Sequence, residues 1–350
     1  MDGPLSLDIR KQQILKAVVS DYTATGMPVG SQALATRYLV SWSAATIRNE
    51  LASLVDIGYL LQPHTSAGRI PSDRGYRYYV DFLMEEEAVS PAIRRQVDPS
   101  LPEHASGVED LLESAAQILA VITDALSIVT GPRTLSARVK HLDVVSLDDR
   151  NALLILLLEG NLLRQQVVEL SQAGDQLSLS HLAAQLNDRL RGLGTEAISA
   201  MSTMAPQPAV PGHPLFSEVA GHIVTVMEGA DAAQDTVVVH DGVRNLLHQP
   251  EFGDIDMLRQ VLDVVEEERA LSQILAAMDV DQGVQIVIGA ENAVEQLRGC
   301  SLVLTTYRAG ETRRGTIGVL GPTRMRYPQV APRLRYVSQR VGKAIDRMLG

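Results

Sequence analysis

Ser43, Ala45, Thr46, Arg48, Asn49 and Ser53 fall within eleven residues that carry only one acid, Glu50, and end in an apolar-spaced stretch closed by Gly58. At 100° per residue, Ala44, Ile47, Leu51 and Leu54 share one face of a helix. Ala45, Asn49, Ala52 and Ser53 lie opposite, with Thr46 and Arg48 at the shoulders. Small side chains let a backbone approach a ligand closely. An asparagine amide bonds bidentately to adenine, and a guanidinium to guanine or phosphate. The competing reading is a solvated helix face, which would normally carry more lysine and glutamate. A second group, His64, Thr65, Ser66 and Arg69, sits in a polar stretch after Tyr59-Leu60-Leu61, where it suits contacts to phosphate or a minor groove.

These side chains need a scaffold, and the first 88 residues contain the signals for one. Ile14, Val18 and Tyr22 recur at helical spacing over residues 8–24, and Gly26 stops the helix. Ser31 caps a second helix, roughly 31–39, and Ser43 a third, to about Asp56. Tyr59–Leu61 and Arg69-Ile70 read as the strands of a hairpin, followed by a helix over about 73–86. Periodicity alone leaves a small helical bundle open beside a winged helix-turn-helix.

Charge separates this segment from the rest. Net charge is −11, yet residues 1–84 hold eight basic residues against seven acidic, leaving 23 against 35 in the remainder. Eight of the thirteen aromatics also fall there, so a nucleic-acid partner is compatible with the acidic total. The longest apolar run, Ala152–Leu158, is far short of the roughly 20 residues of a bilayer span. No membrane association is expected. An acidic amino terminus and a single cysteine, Cys300, point to the cytoplasm.

Past the first segment, residues 89–106 read as a proline-marked linker. A long helix is expected over Glu109–Val129, and strands over 139–147, 152–158, 162–170, 284–288, 301–307 and 314–320, with a closing helix over 328–349. The residues between are rich in helix formers. The expectation is a sheet whose early and late strands pair around an inserted, mostly helical domain. No phosphate-loop, dinucleotide or nucleophile-elbow string occurs, and the histidines lack ligand spacing. No enzyme activity, metal or cofactor is expected. Arg324 and Arg326 read as ion-pairing residues before anion ligands.

Taken in order, Pro28-Val29-Gly30-Ser31, Ser43-Ala44-Ala45-Thr46-Ile47-Arg48-Asn49-Glu50, His64-Thr65-Ser66-Ala67-Gly68-Arg69-Ile70-Pro71 and Gly75-Tyr76-Arg77-Tyr78-Tyr79-Val80 resemble the heat-inducible transcription repressor HrcA family of bacteria. The likeness continues through Pro250-Glu251-Phe252, Ile288–Asn292 and Gly321–Met325 with Tyr327, and so covers nearly the whole chain. Leu51 departs from the family's usual methionine, a near-isosteric change. The resemblance implies an α+β multidomain chain: a winged helix-turn-helix DNA-binding domain (1–88), the linker (89–106), a GAF-like α/β domain in two parts (107–172 and 282–350) and an inserted dimerizing domain (173–281). It implies a homodimeric repressor on a CIRCE-type inverted-repeat operator ahead of chaperone operons, with the GroE chaperonin as modulator. Ser43, Ala45, Thr46, Arg48, Asn49, Ser53, His64, Thr65, Ser66 and Arg69 would then be the DNA-binding residues. Two other classes stay open: a small-molecule-responsive regulator with the GAF-like domain as receptor, and an enzyme carrying a winged-helix targeting module.

Overall fold

Asp8 starts the first helix, its carboxylate accepting the Lys11 N–H at 2.8 Å, and α1 runs Ile9–Thr25 with Ile14, Leu15, Val18 and Val19 buried. Gly26 ends it in the left-handed region at φ 68°, where a side chain would be strained. α2 (Ser31–Arg37), α3 (Ala44–Asp56) and an antiparallel pair, β1 (Leu60–Leu61) and β2 (Ile70–Pro71), follow. The computed structural model describes residues 7–64, 67–101, 107–134, 138–159, 162–203, 215–232, 237–253, 255–267, 283–310 and 313–349. α4 (Asp73–Tyr78) passes into a π-helical turn at Tyr79–Leu83, and Met84 is extended, so the helix expected to 86 stops three residues early. Gly75 is required where α4 crosses β1: a Cβ there would lie 2.1 Å from the Tyr59 carbonyl oxygen.

The stretch expected to be a linker contains α5 (Pro91–Ser100). Ser90 caps it, Pro91 occupies its first turn and Pro99 its last. A proline in the first turn leaves no helical hydrogen bond unmade. α6 (Val108–Thr123) is shorter than expected: Asp124, at φ 53°, closes it, and Leu126–Thr130 form β3 instead of a further helical turn. A short β4 (Arg133–Thr134) follows.

β5 (Val139–Ser146), β6 (Asn151–Leu158) and β7 (Leu162–Glu169) make a three-stranded antiparallel sheet of their own. Its inner face, including Val144, Leu154, Leu156 and Val168, is buried with residues of α7 (Gln176–Leu190), α8 (Thr195–Thr203) and α9 (Phe216–Ala232). By contacts the chain divides into two units, Met1–Pro132 with Val237–Gly310 and Gly315–Gly350, and Arg133–Thr236 with Glu311–Arg314. This corrects the expected insertion at 173–281. The strands at 139–169 share a core with the helices that follow them and do not pair with the late strands, so this unit is not mostly helical.

In the larger unit, β8 (Val238–Asp241), α10 (Val243–Leu247), α11 (Ile255–Glu266), β9 (Val284–Ile288), β10 (Cys300–Ala309), β11 (Arg313–Pro322) and α12 (Tyr327–Leu349) follow. The sheet order is β8-β3-β11-β10-β9, with Ile128 opposite both Gly318 and His240. Alternation along β10 sends Val303 and Tyr307 into a core with α6 and α12, and Leu302 and Leu304 into one with α11. Residues 1–88 are not set apart by the contacts. Tyr76 meets Tyr327 edge-on at 6.1 Å, Arg77 bonds Glu291 and, at 2.5 Å, the Ile286 carbonyl, and Asp73 accepts the Ala290 N–H at 2.9 Å.

Candidate nucleic-acid interface

The capping serine fixes where α3 begins. Ser43 Oγ accepts the Thr46 N–H at 3.1 Å and lies 2.9 Å from the Thr46 hydroxyl, so both hydroxyls serve the helix start. Ile47, Leu51 and Leu54 are buried. This leaves Ala45, Arg48, Asn49 and Ala52 exposed as two i, i+4 pairs on adjoining rows, while Thr46 and Ser53 are half-buried. Among the described residues neither the Arg48 nor the Asn49 side chain has a hydrogen-bond or ion-pair partner. The face therefore offers one guanidinium and one carboxamide between two methyl groups.

The acid beside that face, Glu50, is turned away from it. Glu50 pairs with Lys11 at 3.1 Å and with Arg10 at 3.7 Å, and Lys11 also binds Asp8 at 2.9 Å. Those carboxylates, Asp8 first, hold the Lys11 ammonium above its ordinary range. Arg10 also lies 5.5 Å over the Trp42 ring. Nothing in the local sequence of α3 marks these partners, which come from another helix.

The hairpin follows α3 through a tight turn, with the Tyr59 N–H on the Leu54 carbonyl at 2.9 Å. His64 is exposed at its loop. Thr65 and Ser66 lie outside the described residues. Arg69 is half-buried at the base of the hairpin: its backbone exchanges two 2.8 Å hydrogen bonds with Val29, and its Nη1 donates to the Ala67 carbonyl at 3.1 Å. The Gly68 Cα packs so closely on this bridge that a Cβ would lie 2.6 Å from Pro28 backbone atoms. Arg69 thus holds the loop onto the α1–α2 link. Arg74, absent from the sequence-based set, is exposed beside the hairpin, 4.7 Å over the Tyr59 ring. The neighbouring aromatics Tyr76, Tyr78 and Tyr79 are buried, which leaves them packing and not stacking roles.

Comparison with known proteins bears on the whole chain. Residues 109–331 match the family model described as HrcA protein C terminal domain. A heat-inducible transcription repressor HrcA of Symbiobacterium thermophilum is 36% identical over 338 residues, covering 96% of this chain and 98% of its own. Another, of Pelotomaculum thermopropionicum, is 34% identical over 356 residues, covering 99% of each. The crystal structure of a hypothetical protein at 2.2 Å superposes with TM-score 0.56 at 21% identity, covering 97% of this chain and 98% of that one. It shares the mixed α/β fold.

Proposed function

The chain belongs to the HrcA family of heat-inducible transcription repressors, and on that premise we propose that α3 of each of two identical subunits reads a half-site of an inverted-repeat operator. The observation that carries this reading is the α3 face itself: Ala45, Arg48, Asn49 and Ala52 exposed together, with the donors unpartnered and Glu50 withdrawn. α1 to α3 and the β1–β2 hairpin then act as a winged helix-turn-helix. α3 enters the major groove, Arg48 and Asn49 bond base edges, and Ser43, Thr46, Ser53, His64, Thr65, Ser66 and Arg74 stand at the groove walls and phosphates. Arg69 acts indirectly, by fixing the wing.

Two-fold symmetry of the operator requires two-fold symmetry of the protein. The smaller unit supplies a surface for it. The outer face of its sheet exposes Val145, Leu163 and Val167, with Leu153, Ile155 and Leu157 half-buried between them. A strand as continuously apolar as β6 is normally covered on both faces, and a second copy of the same face would cover it. Repression works by occupancy, without catalysis, in the cytoplasm. Among the described residues no helix is long and apolar enough to cross a membrane.

Chaperone operons are the proposed targets and the GroE chaperonin the proposed modulator. The physical support is the order of the larger sheet, in which the strand at 126–130 lies between partners at 238–241 and 313–322, each more than a hundred residues later. Such non-local pairing is slow and exposes apolar edges meanwhile. Nuclease footprinting of the full chain on the promoters of its own genome tests the function. Symmetric protection of an inverted repeat ahead of chaperone genes is expected; protection elsewhere only, or none, would overturn the reading.

A further inference from the structure

A cavity of about 210 Å³ lies in the larger unit among the end of α1, the α6–β3 turn and the start of α12, and three arginines, Arg324, Arg326 and Arg333, line it. Their surroundings differ. Arg324 is neutralised, bonded to the Glu251 carboxylate and donating to Gln249 Oε1 at 2.7 Å. Arg326 is exposed and, among the described residues, its guanidinium has no hydrogen-bond or ion-pair partner. Arg333 donates only to neutral oxygens, the Ile122 carbonyl and Gln329 Oε1. Burial, opposed by Glu87 and reinforced by Arg326, pushes its guanidinium below the ordinary range. Among the described residues neither of these two cations is bonded to a carboxylate, and two guanidinium groups facing one hollow are an arrangement that an anion stabilises. Among the described residues, Asp124, exposed on the turn, is the one acid lining this cavity.

The hollow continues past Arg326. An adjoining cavity of about 330 Å³ shares Arg326 and Gln329 with the first and is walled by Val19, Tyr79, Met325 and Pro328, with Glu87 among its lining residues. Its apolar walls suit a flat ring, and Glu87 is an acceptor for hydroxyl or amino donors on it. The two halves therefore ask for different parts of one molecule. The arginine end asks for a phosphoryl group, which guanidinium forks bind bidentately. The apolar end asks for a ring body bearing donors. Together their size is that of ordinary small-molecule sites, about 300–1,000 Å³.

We infer that this cleft binds a nucleoside-phosphate-like small molecule, its phosphoryl group between Arg326 and Arg333 and its ring against Tyr79 and Met325. The inference does not depend on how the protein reads DNA, and its test contains no DNA. Titration calorimetry of the full chain uses three probes: inorganic phosphate, AMP and adenosine. AMP is expected to bind more tightly than phosphate, phosphate to compete with it, and adenosine to bind at least about tenfold more weakly than AMP, one charge-assisted contact being worth that much. The Arg326 guanidinium is exposed and unpartnered among the described residues, so Arg326→Ala and Arg326→Glu leave the fold intact, as circular dichroism will check. The first should weaken AMP about tenfold and the second should abolish binding. Absence of binding by both AMP and phosphate, adenosine as tight as AMP, or AMP binding unchanged in Arg326→Glu would each overturn the inference. Phosphate as tight as AMP would remove the ring half of it.

Discussion

Lys11 on α1 holds Glu50 on α3 at 3.1 Å, so the one acid within the exposed segment of α3 is neutralised from behind by the neighbouring helix. If α3 lies along DNA as proposed, this pairing should matter more for binding than for folding. A partly exposed ion pair is worth less than about 1 kcal/mol of stability. Lys11→Ala should leave the melting temperature nearly unchanged and weaken operator binding, most at low salt. Lys11→Ala/Glu50→Gln should restore it. Anisotropy titrations at two salt concentrations check both; failure of the double variant to recover affinity would show that Lys11 contacts DNA itself.

The Ser43 hydroxyl caps α3 at Thr46 N. Ser43→Ala should cost about 0.5–2 kcal/mol in urea unfolding and Ser43→Gly only a few tenths, the usual order for an N-cap. Equal losses for both would mean that the hydroxyl acts outside the cap.

Val167 is 57% exposed on the outer face of β7, whereas Leu154 on the inner face of β6 is fully buried. If that outer face is the dimer interface, Val167→Glu places an unpaired charge in it and should yield a folded monomer by sedimentation. A dimer persisting in Val167→Glu would move the interface to another surface.

Cys300 is buried at the start of β10, and burial pushes its thiol up to about 12 from an ordinary 9.0. The folded chain should therefore resist iodoacetamide at pH 8, and alkylation should follow unfolding. Because the folded value is the raised one, this group's stabilising contribution is complete below about pH 9 and is lost as pH rises toward 12. Denaturant midpoints should fall over that range in the wild type and fall less in Cys300→Ala.

The parts of the fold written in local periodicity were legible in the chain. Ser43, Ile47, Leu51 and Leu54 define α3, its cap and its buried face with no knowledge of neighbours, and the expected bounds match the helix to a residue. Prolines misled where they stand in permitted positions: Pro91 and Pro99 suggested a linker, yet both fall in terminal turns of α5. The run after Thr123 is apolar enough to continue a helix. What ends it is the left-handed Asp124 and the pairing of Ile128 with strands more than a hundred residues later. The assignment of 139–169 to its own sheet was hidden for the same reason, since runs such as Leu153–Leu158 do not encode their partners. On the α3 face, exposure of Arg48 and Asn49 followed from spacing, whereas the tethering of Arg69 to Val29 and of Glu50 to Lys11 depends on tertiary contacts.

We propose that Arg48 and Asn49 recognise bases. Affinity of the full-length Arg48→Ala and Asn49→Ala variants for the footprinted operator and for scrambled DNA of equal length tests it most directly, with His64→Ala as the wing comparison. Each α3 variant should lose about 1–3 kcal/mol of operator binding, the worth of a bidentate base contact, with scrambled DNA bound nearly as before. His64→Ala should weaken both DNAs alike. Operator binding as tight as wild type in both α3 variants would contradict the assignment of α3 as the reading helix.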